Sequence, residues 1–179
     1  MSSKSWREAG RRVWVKAAVV LGLVLAAAMP AMAQSGYVVE DLGALPGDTS
    51  SVAWGINEQG DVVGWSQGST GTHAFVFTDG GGMAALPGLP GRPRTVARDI
   101  SDTGDIVGSA NAGGVDLGHA VLWTGATVQD LGTLGTGAYS EAWGVNNLGQ
   151  VAGWSYTSGV CISANVSRRG KWDTSGKCT

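Results

Sequence analysis

Charge is scarce in this 179-residue chain: only 15% of it is Asp, Glu, Lys or Arg, and the 12 basic residues are outnumbered by 14 acidic ones. Such a chain offers nucleic acid no basic surface to hold. Proline numbers 5 and the 30 glycines follow no G-X-Y period, which excludes collagen and proline-rich linkers. With two histidines and two cysteines, no Cys-x-x-Cys, His-Glu-x-x-His or Walker glycine loop is spelled, and no Gly-x-Ser-x-Gly elbow sits on a strand-to-helix turn. Long apolar runs are missing too: Ala17 to Ala28 is 12 residues, well short of the ~20 of a spanning helix. What the chain does have is 43% hydrophobic residues, 8 tryptophans, and glycines spaced among Val, Ile and Trp. That excludes a solvated disordered polymer and predicts many short strands joined by tight turns.

The N-terminus has the grammar of a helical secretory signal. Arg7, Arg11, Arg12 and Lys16 make it basic, the apolar run follows, and Pro30 precedes Ala31-Met32-Ala33. Cleavage is expected between Ala33 and Gln34, leaving no membrane span. Arg11-Arg12-Val13-Trp14-Val15-Lys16 resembles the twin-arginine signal, but paired arginines also occur in ordinary Sec signals, so both export routes stay open. The remaining chain carries 7 basic and 13 acidic residues, and four of the basic ones fall in residues 161–179. The charge thus marks a basic signal, an acidic middle and a basic tail.

Residues 34–160 contain a repeat of about 45 residues. Asp41-Leu42-Gly43-Ala44-Leu45-Pro46-Gly47, Ala53-Trp54-Gly55-Ile56-Asn57 and Gly60-Asp61-Val62-Val63-Gly64-Trp65-Ser66 form the first copy. Asp130-Leu131-Gly132-Thr133-Leu134-Gly135, Ala142-Trp143-Gly144-Val145-Asn146 and Gly149-Gln150-Val151-Ala152-Gly153-Trp154-Ser155 form the third. The second copy departs in places: Arg98-Asp99 stands where the others have Trp-Gly, and Pro87 replaces a glycine. Ala53, Ala97 and Ala142 mark steps of 44 and 45 residues. The first two copies close with matched strands, beginning His73-Ala74-Phe75 and His119-Ala120-Val121. Asn57, Ser101 and Asn146 each stand three residues before a glycine, Gly60, Gly104 and Gly149. This layout predicts a type I turn ending in a left-handed glycine, joining antiparallel strands.

Four strands per ~45 residues is the size of one propeller blade. The predicted fold is therefore all-β: tandem four-stranded blades at about 37–82, 83–127 and 128–160, the last incomplete, in a partial β-propeller-like array. The Trp-Asp dipeptide of WD40 repeats and the recurring double-glycine pattern of kelch repeats are missing from the repeat. His73-Ala74-Phe75, Asp130-Leu131-Gly132-Thr133-Leu134-Gly135 and Gly144-Val145-Asn146-Asn147-Leu148-Gly149-Gln150-Val151-Ala152-Gly153 resemble the HAF-type extracellular repeat of bacterial proteins. The resemblance covers residues 38 to about 158 and implies an exported repeat protein with propeller-like sheets and no established activity. After Val160 the signature stops; residues 161–179 read either as the product of a shifted frame or early stop, or as a genuine variable tail.

Candidate chemistry is sparse. His73 and His119 occupy one repeat position, which favours an architectural strand-end hydrogen bond over catalysis or metal binding. Asp99, Asp102 and Asp105 surround a glycine turn, but without the alternating acids and distal Glu of an EF-hand loop. Cys161 and Cys178 permit one disulfide in an oxidising compartment. Trp54, Trp65, Trp143 and Trp154 could form a sugar-binding surface, though their equivalent places favour blade packing. No catalytic residue, cofactor or metal site is therefore assigned. The expected role is non-enzymatic, structural or interactive, at or outside the cell surface. The partner is unknown, with self-association, a surface protein or a glycan as the candidates. The alternatives are a piece of a larger propeller enzyme and a secreted carbohydrate-binding module.

Overall fold

The computed structural model describes residues 36, 38–113, 118–134, 136–157, 160–167 and 171–173, with side chains as far as Tyr156. The expected signal, its Ala33/Gln34 junction and Cys178 lie outside the described residues. The chain divides into two units, Met1–Glu40 and Asp41–Thr179, and every strand belongs to the second.

That unit is all-β, without a helix among the described residues. Among the described residues, twelve strands form three antiparallel four-stranded meanders. The first sheet is β1 (Asp48–Ile56), β2 (Val62–Gly68), β3 (Gly71–Thr78) and β4 (Gly82–Ala85). The second is β5 (Arg94–Ile100), β6 (Asp105–Asn111), β7 (His119–Thr124) and β8 (Thr127–Gly132). The third is β9 (Tyr139–Val145), β10 (Val151–Thr157), β11 (Val160–Ser167) and β12 (Lys171–Asp173). The last two strands lie beyond the stretch that carries the repeat signature, yet β11 pairs with β10 from Thr157↔Val160 to Val151↔Val166.

Sequence repeat and sheet are out of phase. The Asp-Leu-Gly block that opens the third repeat lies at the end of β8, so it closes the second sheet, while Leu134 follows in the connection and is buried. A repeat is delimited by where similarity begins, a sheet by where hydrogen bonding ends. The motif spans the step between them.

The turns joining the first two strands of each sheet are built alike. Gly60, Gly104 and Gly149 donate to the carbonyls of Asn57, Ser101 and Asn146, with φ of 84°, 82° and 69° at the glycines. Only glycine takes that left-handed conformation without a Cβ penalty. The side-chain oxygens of Asn57, Ser101 and Asn146 accept the amide two residues past the central pair, at Asp61, Asp105 and Gln150.

The core is two inter-sheet layers. Val63 and Ala74 of the first sheet pack with Ala97, Ile100, Ile106, Val121 and Trp123 of the second. Val107, Ala120 and Leu131, on the second sheet's other face, pack with Ala142 and Val151 of the third. The middle sheet is therefore apolar on both faces, which explains why β6 reads almost without polar alternation. The first strand of the middle sheet, β5, lies against both β1 and β9.

Candidate functional site

The first strand of each sheet breaks its ladder at one equivalent place, and β1 shifts register a second time between Asp48 and Ser50. Ala53 pairs with Gly64 and Gly55 with Val63, so Trp54 has no opposite residue. Arg98 is skipped in the same way between Ala97 and Asp99, and Trp143 between Ala142 and Gly144. A bulge turns the extra side chain out of the pleat. The glycine opposite each bulge is obligatory: a Cβ on Gly64, Gly108 or Gly153 would collide with the carbonyl oxygen of Val52, Val96 or Glu141.

Three repeated bulges on adjacent strands place their side chains in one ladder. The Arg98 guanidinium lies 4.7 Å from the ring centre of Trp54 and 4.5 Å from that of Trp143. Both indoles are 50% exposed. Arg98 Nε and a terminal guanidinium nitrogen reach Glu141 Oε1 at 2.8 and 2.7 Å, and Trp143 Nε1 donates to Oε2 at 3.1 Å. Sequence reasoning singled out both tryptophans but missed Glu141, and it noted Arg98 only as a departure from the repeat. The available signal was a paired departure: Glu141 stands where the other copies have Val52 and Val96, next to the repeat in which Arg98 replaces Trp.

A second ladder runs through the turns. Glu58 N–H donates to Asp102 Oδ1 at 2.9 Å, and Asp102 N–H donates to Asn147 Oδ1 at 2.8 Å. The Glu58 amide, and then the Asn147 side-chain amide, hold the Asp102 carboxyl below its ordinary range. Asp99 replaces the glycine of its counterparts and uses Oδ2 to accept Val145 N–H at 2.9 Å. Residues 56–58, 100–102 and 145–147, equivalent in the three repeats, line one open cleft of about 460 Å³.

The remaining candidates are engaged singly. Asp99, Asp102 and Asp105 do not converge, since Asp105 takes its bond from Thr124 Oγ1, and no group of three metal-ligating side chains is found among the described residues. His73 bonds Asp48 through Nδ1 at 3.3 Å and Thr70 Oγ1 through Nε2 at 3.2 Å. His119 meets Asp130 through Nδ1 at 2.9 Å and Arg92 through Nε2 at 3.3 Å. Arginine only donates, so Nε2 accepts there and Nδ1 donates to Asp130. The Thr70–His73–Asp48 chain has the residue types of a nucleophile triad, but Thr70 is exposed on a hairpin rim and does not line the cleft described above. Gly64-Trp65-Ser66-Gln67-Gly68 spells a nucleophile elbow, yet Ser66 is fully buried in β2, accepting from Leu45 N–H and donating to the Ser50 carbonyl. Trp65 and Trp154 are half-buried, unlike Trp54 and Trp143.

No family model matches the chain, and neither the curated proteins nor the solved structures contain a significant match to it.

Proposed function

We propose that the chain is an exported, non-enzymatic repeat protein that works by binding at or outside the cell surface, with the Trp54–Arg98–Trp143 ladder as its contact edge. The carrying observation is that three equivalent bulges turn two half-exposed indoles and a guanidinium toward one side of the array. Bulges that re-aim side chains are over-represented at functional sites, and Trp and Arg are the residues most enriched in binding hot spots. The signal-like N-terminus and the resemblance to HAF-type repeats support export and a propeller-like arrangement of the sheets. A second reading, binding of carbohydrate, is favoured by the two half-exposed indoles, whose rings suit the apolar faces of sugars.

Binding of the labelled protein to cell envelopes, in parallel with a glycan array, tests both readings. The double variant Trp54→Ala/Trp143→Ala is expected to lose at least tenfold in retention. Envelope binding without glycan binding favours a protein partner, and matched loss on both favours carbohydrate. Retention unchanged by the double variant removes the ladder as the contact edge.

A further inference from the structure

The repeat allows each sheet face to be compared with its counterparts. Ser51, Ala53 and Ile56 of β1 occupy the places of Thr95, Ala97 and Ile100 in β5. The β5 residues are buried against the first sheet, Ile100 to 6% exposure, whereas Ala53 is exposed and Ile56 is 67% exposed. On the opposite face, Val63 and Val107 are fully buried against the sheet that follows, while their counterpart in β10, Ala152, is exposed. The exposed positions at the two ends are thus the two halves of an interface that the molecule already builds twice.

We infer that a second copy of this chain completes that interface head to tail, the sheet of β9–β12 in one copy receiving the sheet of β1–β4 in the next. The internal contacts specify the new ones. Ala74 N–H donates to Thr95 Oγ1 and Ala120 N–H to Ser140 Oγ, both at 2.8 Å. Ser163 is the next residue at the donor position, by its pairing with Trp154, and Ser51 of the second copy carries the next acceptor hydroxyl. The turn ladder from Glu58 to Asp102 to Asn147 continues from the Asn147 N–H to the Glu58 carboxylate of the second copy. Trp143 of one copy meets Trp54 of the other at the ladder's end. The contact is heterologous, so it must close into a ring or run into a filament. Two copies supply six sheets, inside the ~4 to 8 of closed propellers.

Sedimentation velocity of the purified protein is expected to give twice the monomer mass. Ala53→Arg blocks one face and Ala152→Arg the other, so each variant alone is expected to be monomeric. Mixed in equal amounts, they retain one intact pair of faces and are expected to form a one-to-one dimer, read by native mass spectrometry with one variant isotopically labelled. This rescue also shows that both variants are folded. A monomeric wild type overturns the proposal and leaves the faces to a different protein, independently of any variant. Single variants that still self-associate overturn the head-to-tail mode, and an open-ended series of wild-type species overturns the closed ring. Envelope retention of the monomeric Ala53→Arg variant, which keeps Trp54, Arg98 and Trp143, reads the ladder apart from assembly, so failure of either proposal leaves the other standing.

Discussion

Arg98 joins the first strands of the three sheets through one planar cation, stacked between two indoles and paired with Glu141. The pair is largely shielded, with side-chain exposures of 17% and 12%. Each cation–π contact to a half-exposed ring is worth ~0.5–1 kcal/mol, and removing the cation also leaves Glu141 without its partner. Arg98→Ala is therefore expected to lower the unfolding free energy by about 2–3 kcal/mol in urea titration, with a change in tryptophan fluorescence before unfolding. Arg98→Lys should recover less than half of the loss, because an ammonium cannot stack flat between two rings. At this scale the sequence was partly readable. Trp54, Trp143 and the odd residue Arg98 were visible as one repeat position, but their mutual stacking required knowing that adjacent strands carry them side by side.

At the scale of the element, the bulge and the glycine facing it form one device. Gly108 sits where the Val96 carbonyl folds inward, so a methyl group there must displace backbone of a strand packed on both sides. Overpacking of this kind costs ~1–3 kcal/mol, and Gly108→Ala is expected to fall in that range. Hydrogen exchange should show the loss first at the amides of β5 and β6. The turn glycines Gly60, Gly104 and Gly149 were legible because a local rule, a polar residue and then glycine three later, determines their conformation. The bulges were not legible. A two-against-one register is a property of a pair of strands, and nothing in Ala53-Trp54-Gly55 alone says which residue will go unpaired.

Across the whole molecule, stability is concentrated in the middle sheet. Ile100 is buried between sheets and its counterpart Ile56 is not. Ile100→Ala is expected to cost ~2–4 kcal/mol through lost burial and the cavity it leaves. Ile56→Ala should stay within about 0.5 kcal/mol when the protein is dilute enough to be monomeric. Chemical denaturation at two protein concentrations checks both numbers, and a larger Ile56→Ala effect at the higher concentration is what docking of a second copy entails. One sheet buried twice and two sheets buried once is the pattern of a linear array, in which each unit contacts only its neighbours.

The sequence by itself determined the strand-rich class, the period of about 45 residues and the placement of the turns, because hydrophobic spacing and glycine conformation act within a few residues. Tertiary structure alone decided the phase between repeat and sheet, the fourth-strand position of the Asp-Leu-Gly block in β8, and the pairing of β11 and β12 from a stretch without repeat signature. It also decided that Trp54, Arg98 and Trp143 stand together, since inter-sheet packing brings equivalent residues side by side from positions 44 and 45 apart in the chain. Backbone pairing accepts many side chains, so a strand can be recruited without its motif, whereas a ladder of side chains exists only once the sheets have stacked.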